Sequence, residues 1–177
     1  MCMNAIRKLL RGNEEVLEQV IRDLYPKVYS YIYHRMNDAV LAKDLTQETF
    51  YQFFAHLEEY EERGKMLNYL YRIALHQVYD YAKGNKNPTL ELQEETLGDT
   101  TYDGHQLFLN QENFVALHSW IRKLPYHLQD VILLRYEEEL KYKDIAEIIG
   151  KPISTVKSQV KQAIDLLEEQ ARMEGYK

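Results

Sequence analysis

The sequence of 177 residues has little of what an extracellular or membrane protein needs. Its single cysteine, Cys2, has no intramolecular partner, which excludes a disulfide framework. No apolar stretch approaches the roughly 18 residues of a membrane-spanning helix. The N-terminus also lacks the apolar core and the cleavage site of a signal peptide. We therefore expect a protein of the reducing cytoplasm.

Residues that break helices are few as well. Seven Gly and four Pro leave long stretches uninterrupted, and the proportions of hydrophobic (45%) and charged (28%) residues favour a folded chain. Pro26 predicts a break in the first periodic segment, with a second helix beginning there, because proline is tolerated in the first turn of a helix. Apolar residues recur at helical spacing over residues 9–36, 39–57, 66–83, 112–123, 126–138, 141–149 and 153–174.

The character of the chain changes between residues 84 and 111, where Gly, Asn, Pro, Thr and acidic residues accumulate without a hydrophobic period. A segment of this length without regular structure is too long for an ordinary loop within one compact domain. We therefore predict an all-α protein of two small helical domains, residues 1–86 and 112–177, joined by a flexible acidic linker over residues 87–111.

The distribution of charge is more informative than its sum. A formal net charge of −6 argues against nucleic-acid binding, because phosphate contacts require Lys and Arg. Residues 44–62, however, hold six acids and no base, whereas residues 63–86 hold five bases and one acid. Residues 151–164 hold three lysines and no acid. One locally basic segment in each predicted domain is the distribution that two separate DNA contacts need.

The sequence motifs of common enzyme classes are absent. The six histidines form no H-E-x-x-H pattern, and no cysteine pair accompanies them at zinc spacing. There is no Gly-rich phosphate loop and no G-x-S-x-G. Paired acids such as Glu58 and Glu59 lie in charged runs, which are typical of a solvated face. We expect no catalytic activity, no metal site and no cofactor.

Residues 124–170 have the pattern of a helix-turn-helix. Ile145, Ile148 and Ile149 share one helical stripe, and Gly150 can adopt the left-handed conformation that ends a helix. A second helix begins near Ile153, and its polar face predicts contacts with phosphates and base edges. The alternative is an ordinary helical hairpin with a solvated polar face. The polar residues are Ser154, Thr155, Lys157, Ser158, Gln159, Lys161 and Gln162.

Five segments of the sequence carry a specific resemblance. Residues 124–136 (LPYHLQDVILLRY), with 143–150 (KDIAEIIG) and 155–158 (TVKS), resemble sigma region 4. Residues 44–50 (DLTQETF) resemble the D-x-x-Q-E-x-F signature of sigma region 2, and residues 69–74 (YLYRIA) resemble its W-L-Y-R-I-A helix. The chain is thus similar, from about residue 24 to residue 170, to the extracytoplasmic-function (ECF) subfamily of bacterial sigma-70-type RNA polymerase sigma factors.

The resemblance implies a transcription initiation factor that binds core RNA polymerase and promoter DNA. It implies that the segment from Tyr60 to Lys65 captures a flipped-out base, and that the helix from Ile153 reads the minus-35 element with its polar face. The other face of that domain would hold the β flap. Docking on the β′ clamp helices is implied for Asp44, Gln47, Glu48 and Phe50, and the alternative for these is a solvated acidic face. Contact with the minus-10 element is implied for Tyr69, Tyr71, Arg72, His76, Gln77, Lys83 and Lys86.

The sequence also departs from the family pattern. Gln159, Gln162 and Ile164 replace three arginines that are common in the recognition helix, and Tyr69 stands where Trp is usual. We expect weak intrinsic DNA affinity that depends on polymerase. Two alternatives stay open: a helix-turn-helix regulator that is not a polymerase subunit, and a sigma antagonist, against which Lys157 and Lys161 argue. The family also implies an anti-sigma factor as a partner.

Overall fold

The computed structural model describes residues 14–57, 60, 65–84 and 111–176, and all regular structure within these ranges is helical. Contacts between residues divide the chain into two compact units, Met1–Gly84 and Asn85–Lys177. The all-α prediction is confirmed. The predicted linker, apart from Gln111, lies outside the described residues and stays a prediction. Within the described ranges, no helix is long and apolar enough to cross a membrane.

The described part of the first unit contains three helices, α1 (Glu14–Met36), α2 (Ala39–Ala55) and α3 (Met66–Gly84), each of which packs against the other two. The chain reverses between α1 and α2 in two residues. Asn37 adopts a left-handed conformation (φ 54°), which asparagine tolerates. The Asp38 carboxylate then accepts hydrogen bonds from the N–H groups of Val40 (2.9 Å) and Leu41 (3.0 Å), and so caps the start of α2.

The predicted break at Pro26 is wrong, because α1 passes through it as one helix. A proline inside a helix removes one hydrogen bond and costs about 3 kcal/mol. Side chains on both sides of Pro26 nevertheless pack into the first unit. Tyr25 stacks on Phe50 of α2 with ring centroids 5.7 Å apart, and Val28 is fully buried. Breaking the helix would remove one of these sides from the core, so packing outweighs the local preference.

The centre of the first unit is aromatic. Tyr31 of α1 and Tyr71 of α3 are fully buried and meet edge to face at 5.6 Å. Thr46 and Thr49 of α2 are also fully buried, and their hydroxyl groups donate to backbone carbonyls one turn earlier at 2.6 and 2.7 Å. These bonds satisfy both buried hydroxyl groups, and the inner face of α2 can therefore pack closely.

The second unit is built around its last helix. It contains α4 (Gln111–Ile121), α5 (Tyr126–Ile132), a π-helical turn (Leu133–Glu137), α6 (Tyr142–Ile149) and α7 (Ile153–Met173). Helix α7 packs against α4, α5 and α6. The sequence predicts one helix over residues 126–138, but the chain widens at Leu133, where the Glu138 N–H donates to the Leu133 carbonyl at 3.1 Å. Leu133 and Leu134 are both buried, so this turn belongs to the core.

The turn between α6 and α7 is the one that the sequence predicts. Gly150 has φ 68°, a left-handed conformation that is strained for residues with a Cβ atom. Its N–H donates to the Ala146 carbonyl, and the Lys151 N–H donates to the same carbonyl at 3.1 Å. Pro152 then precedes the first residue of α7. This turn joins the two helices of the helix-turn-helix.

Candidate functional site

Helix α2 presents a polar face to solvent. Asp44, Gln47 and Glu48 are exposed, and their spacing of three and four residues places them on one side of the helix. Phe50 is buried against Tyr25 and does not share this face. Its predicted contact with a partner is therefore corrected: residue 50 points about 200° around the helix from residue 48, and so into the core.

Two exposed apolar residues flank this face, and sequence reasoning missed both. Val40 is 72% exposed and lies four residues before Asp44, whereas Tyr51 is 69% exposed and lies three residues after Glu48. The signal for them was their helical register, which matches that of the polar motif. We call the five exposed residues Val40, Asp44, Gln47, Glu48 and Tyr51 the docking stripe.

A tyrosine of α1 lies close to the docking stripe. Burial raises the pKa of the Tyr25 phenol, and Tyr29 and Asp44 raise it further through their charges. The rings of Tyr25 and Tyr29 are nearly parallel, with centroids 6.4 Å apart. Asp44 thus carries its charge beside an aromatic edge of α1.

The outer face of α3 is mixed in charge. Arg72, His76 and Lys83 are exposed at helical spacing, but the exposed Asp80 lies among them. Gln77 is half-buried on the same helix. The structure therefore brings only part of the predicted minus-10 residues together on this face. Lys86 lies outside the described residues.

The aromatic residues of α3 lie deeper than the motif suggests. Tyr71 is fully buried against Tyr31, so its predicted DNA contact is corrected to a core role. Tyr69 is half-buried, with its ring 5.1 Å from that of Tyr60 and 6.0 Å from that of Phe53. Tyr60 is itself buried, and residues 61–64 of the predicted base-capturing segment lie outside the described residues.

In the second unit, the first half of α7 carries the predicted reading face. Ser154 and Gln162 are exposed, and Thr155, Lys157, Ser158 and Lys161 are half-buried on the same side of the helix. The Ser158 hydroxyl donates to the Thr155 carbonyl at 2.9 Å.

Gln159 is the exception on α7. It is only 8% exposed, and its side-chain oxygen Oε1 has no hydrogen-bond partner among the described residues. A buried side chain cannot reach a base edge, so the predicted role of Gln159 is corrected to a core position.

The start of α7 lies beside Lys151 and His127. No acidic residue occurs between Lys151 and Ile164. Burial lowers the pKa of His127, and the nearby Lys151 lowers it further, whereas Asp130 opposes both effects. The half-buried imidazole of His127 therefore lies close to Lys151, two residues before α7 begins. This end of the helix-turn-helix suits an anionic partner.

A groove of about 340 Å³, lined by apolar side chains and by Lys123, Glu169 and Gln170, opens on another side of the second unit. Trp120 and Leu124 line one wall, and Leu166, Leu167 and Met173 of α7 line the other. The ring of Tyr176 contacts Trp120 edge to face at 5.2 Å. The groove therefore lies along the C-terminal half of α7, whereas the polar reading face belongs to its N-terminal half.

The family models match the two units separately. The model described as "Sigma-70 region 2" matches residues 20–87, and that described as "Sigma-70, region 4" matches residues 114–167. Together they cover more than half of the chain. The first contains the docking stripe and α3, and the second contains α5 to most of α7.

Curated relatives span nearly the whole chain. The ECF RNA polymerase sigma factor SigW of Bacillus subtilis (strain 168) is 26% identical over 183 residues, with 97% of each chain covered. The RNA polymerase sigma factor YlaC of the same organism is 30% identical over 154 residues, with 85% of this chain and 89% of that protein covered.

A solved structure shares the fold. CnrH, described in complex with the cytosolic domain of CnrY, is 14% identical with a TM-score of 0.71, and 94% of each chain is covered. Two matched regions in the same order, a relative that is 30% identical over 85% of this chain and a shared fold agree. The chain therefore belongs to the sigma-70 family of RNA polymerase sigma factors, in its ECF subfamily.

Proposed function

We propose that this protein is a transcription initiation factor that binds core RNA polymerase in the cytoplasm and directs it to a subset of promoters. The observation that carries the proposal is the match of both sigma regions to units with opposite surface chemistry. The first unit offers an acidic docking face on α2, and the second offers a basic reading face on α7. No catalytic step and no cofactor are part of this proposal.

The polymerase contact lies on the docking stripe, where Asp44, Gln47 and Glu48 are exposed together. Carboxylates arranged on one helical face pair well with arginines, whose planar guanidinium groups bind carboxylates in a bidentate geometry. The β′ clamp helices are the proposed partner surface. Phe50 supports this face only from beneath, through its contact with Tyr25.

The promoter contacts divide between the units. The minus-35 element is read in the major groove by the exposed and half-buried polar residues of α7, with Gln159 removed from the set. The minus-10 element is contacted by the outer face of α3, with Tyr71 removed, and strand opening relies on Arg72, His76 and Tyr69. Few cations contribute, so the affinity of the free protein for DNA is low and its salt dependence shallow.

The groove beside Trp120 supplies a second polymerase contact. Its walls combine apolar side chains with Lys123, Glu169 and Gln170, which suits a short amphipathic helix, and we assign it to the β flap. An anti-sigma factor is a further proposed partner, because a protein with this fold, the sigma factor RpoE of Bartonella quintana, is described in complex with the anti-sigma factor NepR.

The alternative is a regulator that binds DNA through α7 without joining polymerase. It leaves the docking stripe without a use, since such a regulator needs no exposed motif at Asp44, Gln47 and Glu48. The first test is co-purification of the full-length protein with core polymerase, followed by run-off transcription. Failure of the protein to bind core polymerase would exclude the proposed function and favour the alternative.

Two charge reversals separate the roles of the units. Asp44→Arg is expected to abolish core binding, with Glu18→Arg on the exposed side of α1 as its charge-matched control. Lys157→Glu is expected to reduce promoter occupancy of the assembled holoenzyme while core binding persists. Its control is Arg172→Glu, which makes the same change fifteen residues along α7, about 22 Å away. Loss of core binding in Lys157→Glu would contradict the division of labour.

A further inference from the structure

We propose that Tyr51 is the principal apolar contact of the docking stripe and extends the polymerase interface one helical turn beyond Glu48. The inference rests on the proposed function, because it assigns a further contact to the same face. Tyr51 lies three residues after Glu48, four after Gln47 and seven after Asp44, so all four side chains share one side of α2.

Among the described residues of the first unit, the packing of the core does not use the side chain of Tyr51. The inner face of α2 is complete, since Phe50 and Phe53 are buried there. Tyr51 keeps 69% of its surface in contact with solvent. One exposed aromatic residue is unremarkable by itself. Here it lies at one end of an acidic stripe whose other end carries Val40, also exposed, so apolar surface brackets the charged centre.

The charge of the stripe decides between the partners that a tyrosine could meet. A nucleic acid would place phosphates against Asp44 and Glu48, and Lys43 is the only Lys or Arg that α2 offers to attract them. A basic protein surface is favoured instead. An arginine pairs with a carboxylate and also stacks its planar group on an aromatic ring. Glu48 and Tyr51 are one turn apart, so a single arginine of core polymerase can contact both.

Tyrosine and arginine are enriched among the residues that dominate interface energies. Truncating such a residue typically weakens binding by about tenfold or more. We therefore expect Tyr51→Ala to weaken core binding about tenfold, and Tyr51→Phe, which keeps the ring, to stay within about twofold of wild type.

The experiment uses the full-length protein with a maleimide dye on its single cysteine, Cys2, titrated with core polymerase. Tyr81→Ala is the matched control, because Tyr81 is a 40% exposed tyrosine on α3 of the same unit. Its affinity for core should equal that of wild type. Repeating the titrations at several salt concentrations distinguishes the contribution of the Tyr51 ring from that of the Glu48 charge. Core binding by Tyr51→Ala should keep the wild-type salt dependence, whereas Glu48→Gln should reduce that dependence. Thermal melting of Tyr51→Ala should match wild type, since Ala favours an exposed helix position.

The outcomes distinguish this inference from the proposed function. If Asp44→Arg abolishes core binding while Tyr51→Ala binds like wild type, the role of Tyr51 is refuted and the docking face stands. If the wild-type protein does not bind core, both fail. The inference is also overturned if Tyr51→Ala weakens DNA binding by the free protein, or if it dissociates a dimer in sedimentation, since the ring would then contact DNA or a second copy.

Discussion

Replacing Gln159 with methionine should stabilise the second unit and leave promoter recognition intact. Gln159 is 8% exposed on α7, and its Oε1 atom lacks a hydrogen-bond partner in the described part of the chain. A buried polar group left unsatisfied costs about 1–3 kcal/mol. Methionine has a similar length, is unbranched and adapts to irregular space, so it removes the acceptor with little change in packing. We expect the free energy of unfolding of this unit to rise by about 1–2 kcal/mol.

The single tryptophan makes the measurement specific to this unit. Trp120 is 2% exposed in the second unit, and its fluorescence should change when that unit unfolds. For a domain of this size, each kcal/mol corresponds to a shift in Tm of about 4–8 °C. Gln162→Met is the matched control, because Gln162 is exposed three residues later on the same helix. Its stability should stay within about 0.5 kcal/mol of wild type.

Promoter binding by the assembled holoenzyme gives the second readout. Gln159→Met should bind a minus-35 promoter fragment like wild type, whereas Gln162→Met should bind more weakly because it loses a polar contact. If Gln159→Met melts at or below the wild-type temperature, the unsatisfied Oε1 atom of Gln159 does not destabilise the second unit. The core position of Gln159 is refuted if Gln159→Met loses as much promoter affinity as Gln162→Met, because the amide would then reach DNA.

Three further predictions follow from local features. Glu139 has φ 53°, a left-handed conformation that costs a residue with a Cβ atom roughly 1–2 kcal/mol. Glu139→Gly should therefore raise the Tm of the second unit by a few degrees. Glu139→Ala keeps the strain, and an equal gain in Tm from it would contradict this explanation. Because burial and Lys151 lower the pKa of His127, the unfolded chain binds the proton more tightly, and stability should fall as the pH drops through about 6.5. Melting at pH 7.5 and 5.5 should show a smaller loss in His127→Gln than in wild type, and an equal loss would exclude His127 as a source. Asp38→Ala removes the cap of α2 and should lower the free energy of unfolding of the first unit by about 1 kcal/mol in chemical denaturation. Asp38→Asn should retain most of that stability, because asparagine also caps helices. An equal loss of stability in both variants would show that the cap is not responsible.

Hydrophobic periodicity predicted the helices well where packing and local preference agree. Gly150 illustrates this agreement, because a glycine between two periodic segments favours the left-handed turn that the structure contains. Pro26 illustrates the opposite: its local preference for a helix start is overridden by contacts that α1 makes on both sides of it. The π-helical turn at Leu133–Glu137 had no sequence signal, since apolar spacing does not distinguish it from continued α-helix.

The candidate site was predicted at the level of segments and less well at the level of side chains. A motif gives residue types and spacing, but successive residues of a helix differ in direction by about 100°. Arg72 and Tyr71 are neighbours in one motif, yet the first is exposed and the second fully buried. The same reasoning separates Phe50 from Glu48. Tyr51 was missed for the converse reason, since it shares the exposed face without belonging to the motif.

The distribution of these contacts explains how a protein with a net charge of −6 can select promoters. The reading face of α7 retains Lys157 and Lys161, and both are half-buried, so each contributes less to phosphate attraction than an extended arginine would. The docking stripe, by contrast, combines charge with the exposed ring of Tyr51. Once polymerase holds the protein, its DNA contacts become intramolecular and gain from a high effective concentration. Under the proposed function, weak reading is an advantage: we expect that the free protein does not occupy DNA and that promoter selection requires the assembled holoenzyme.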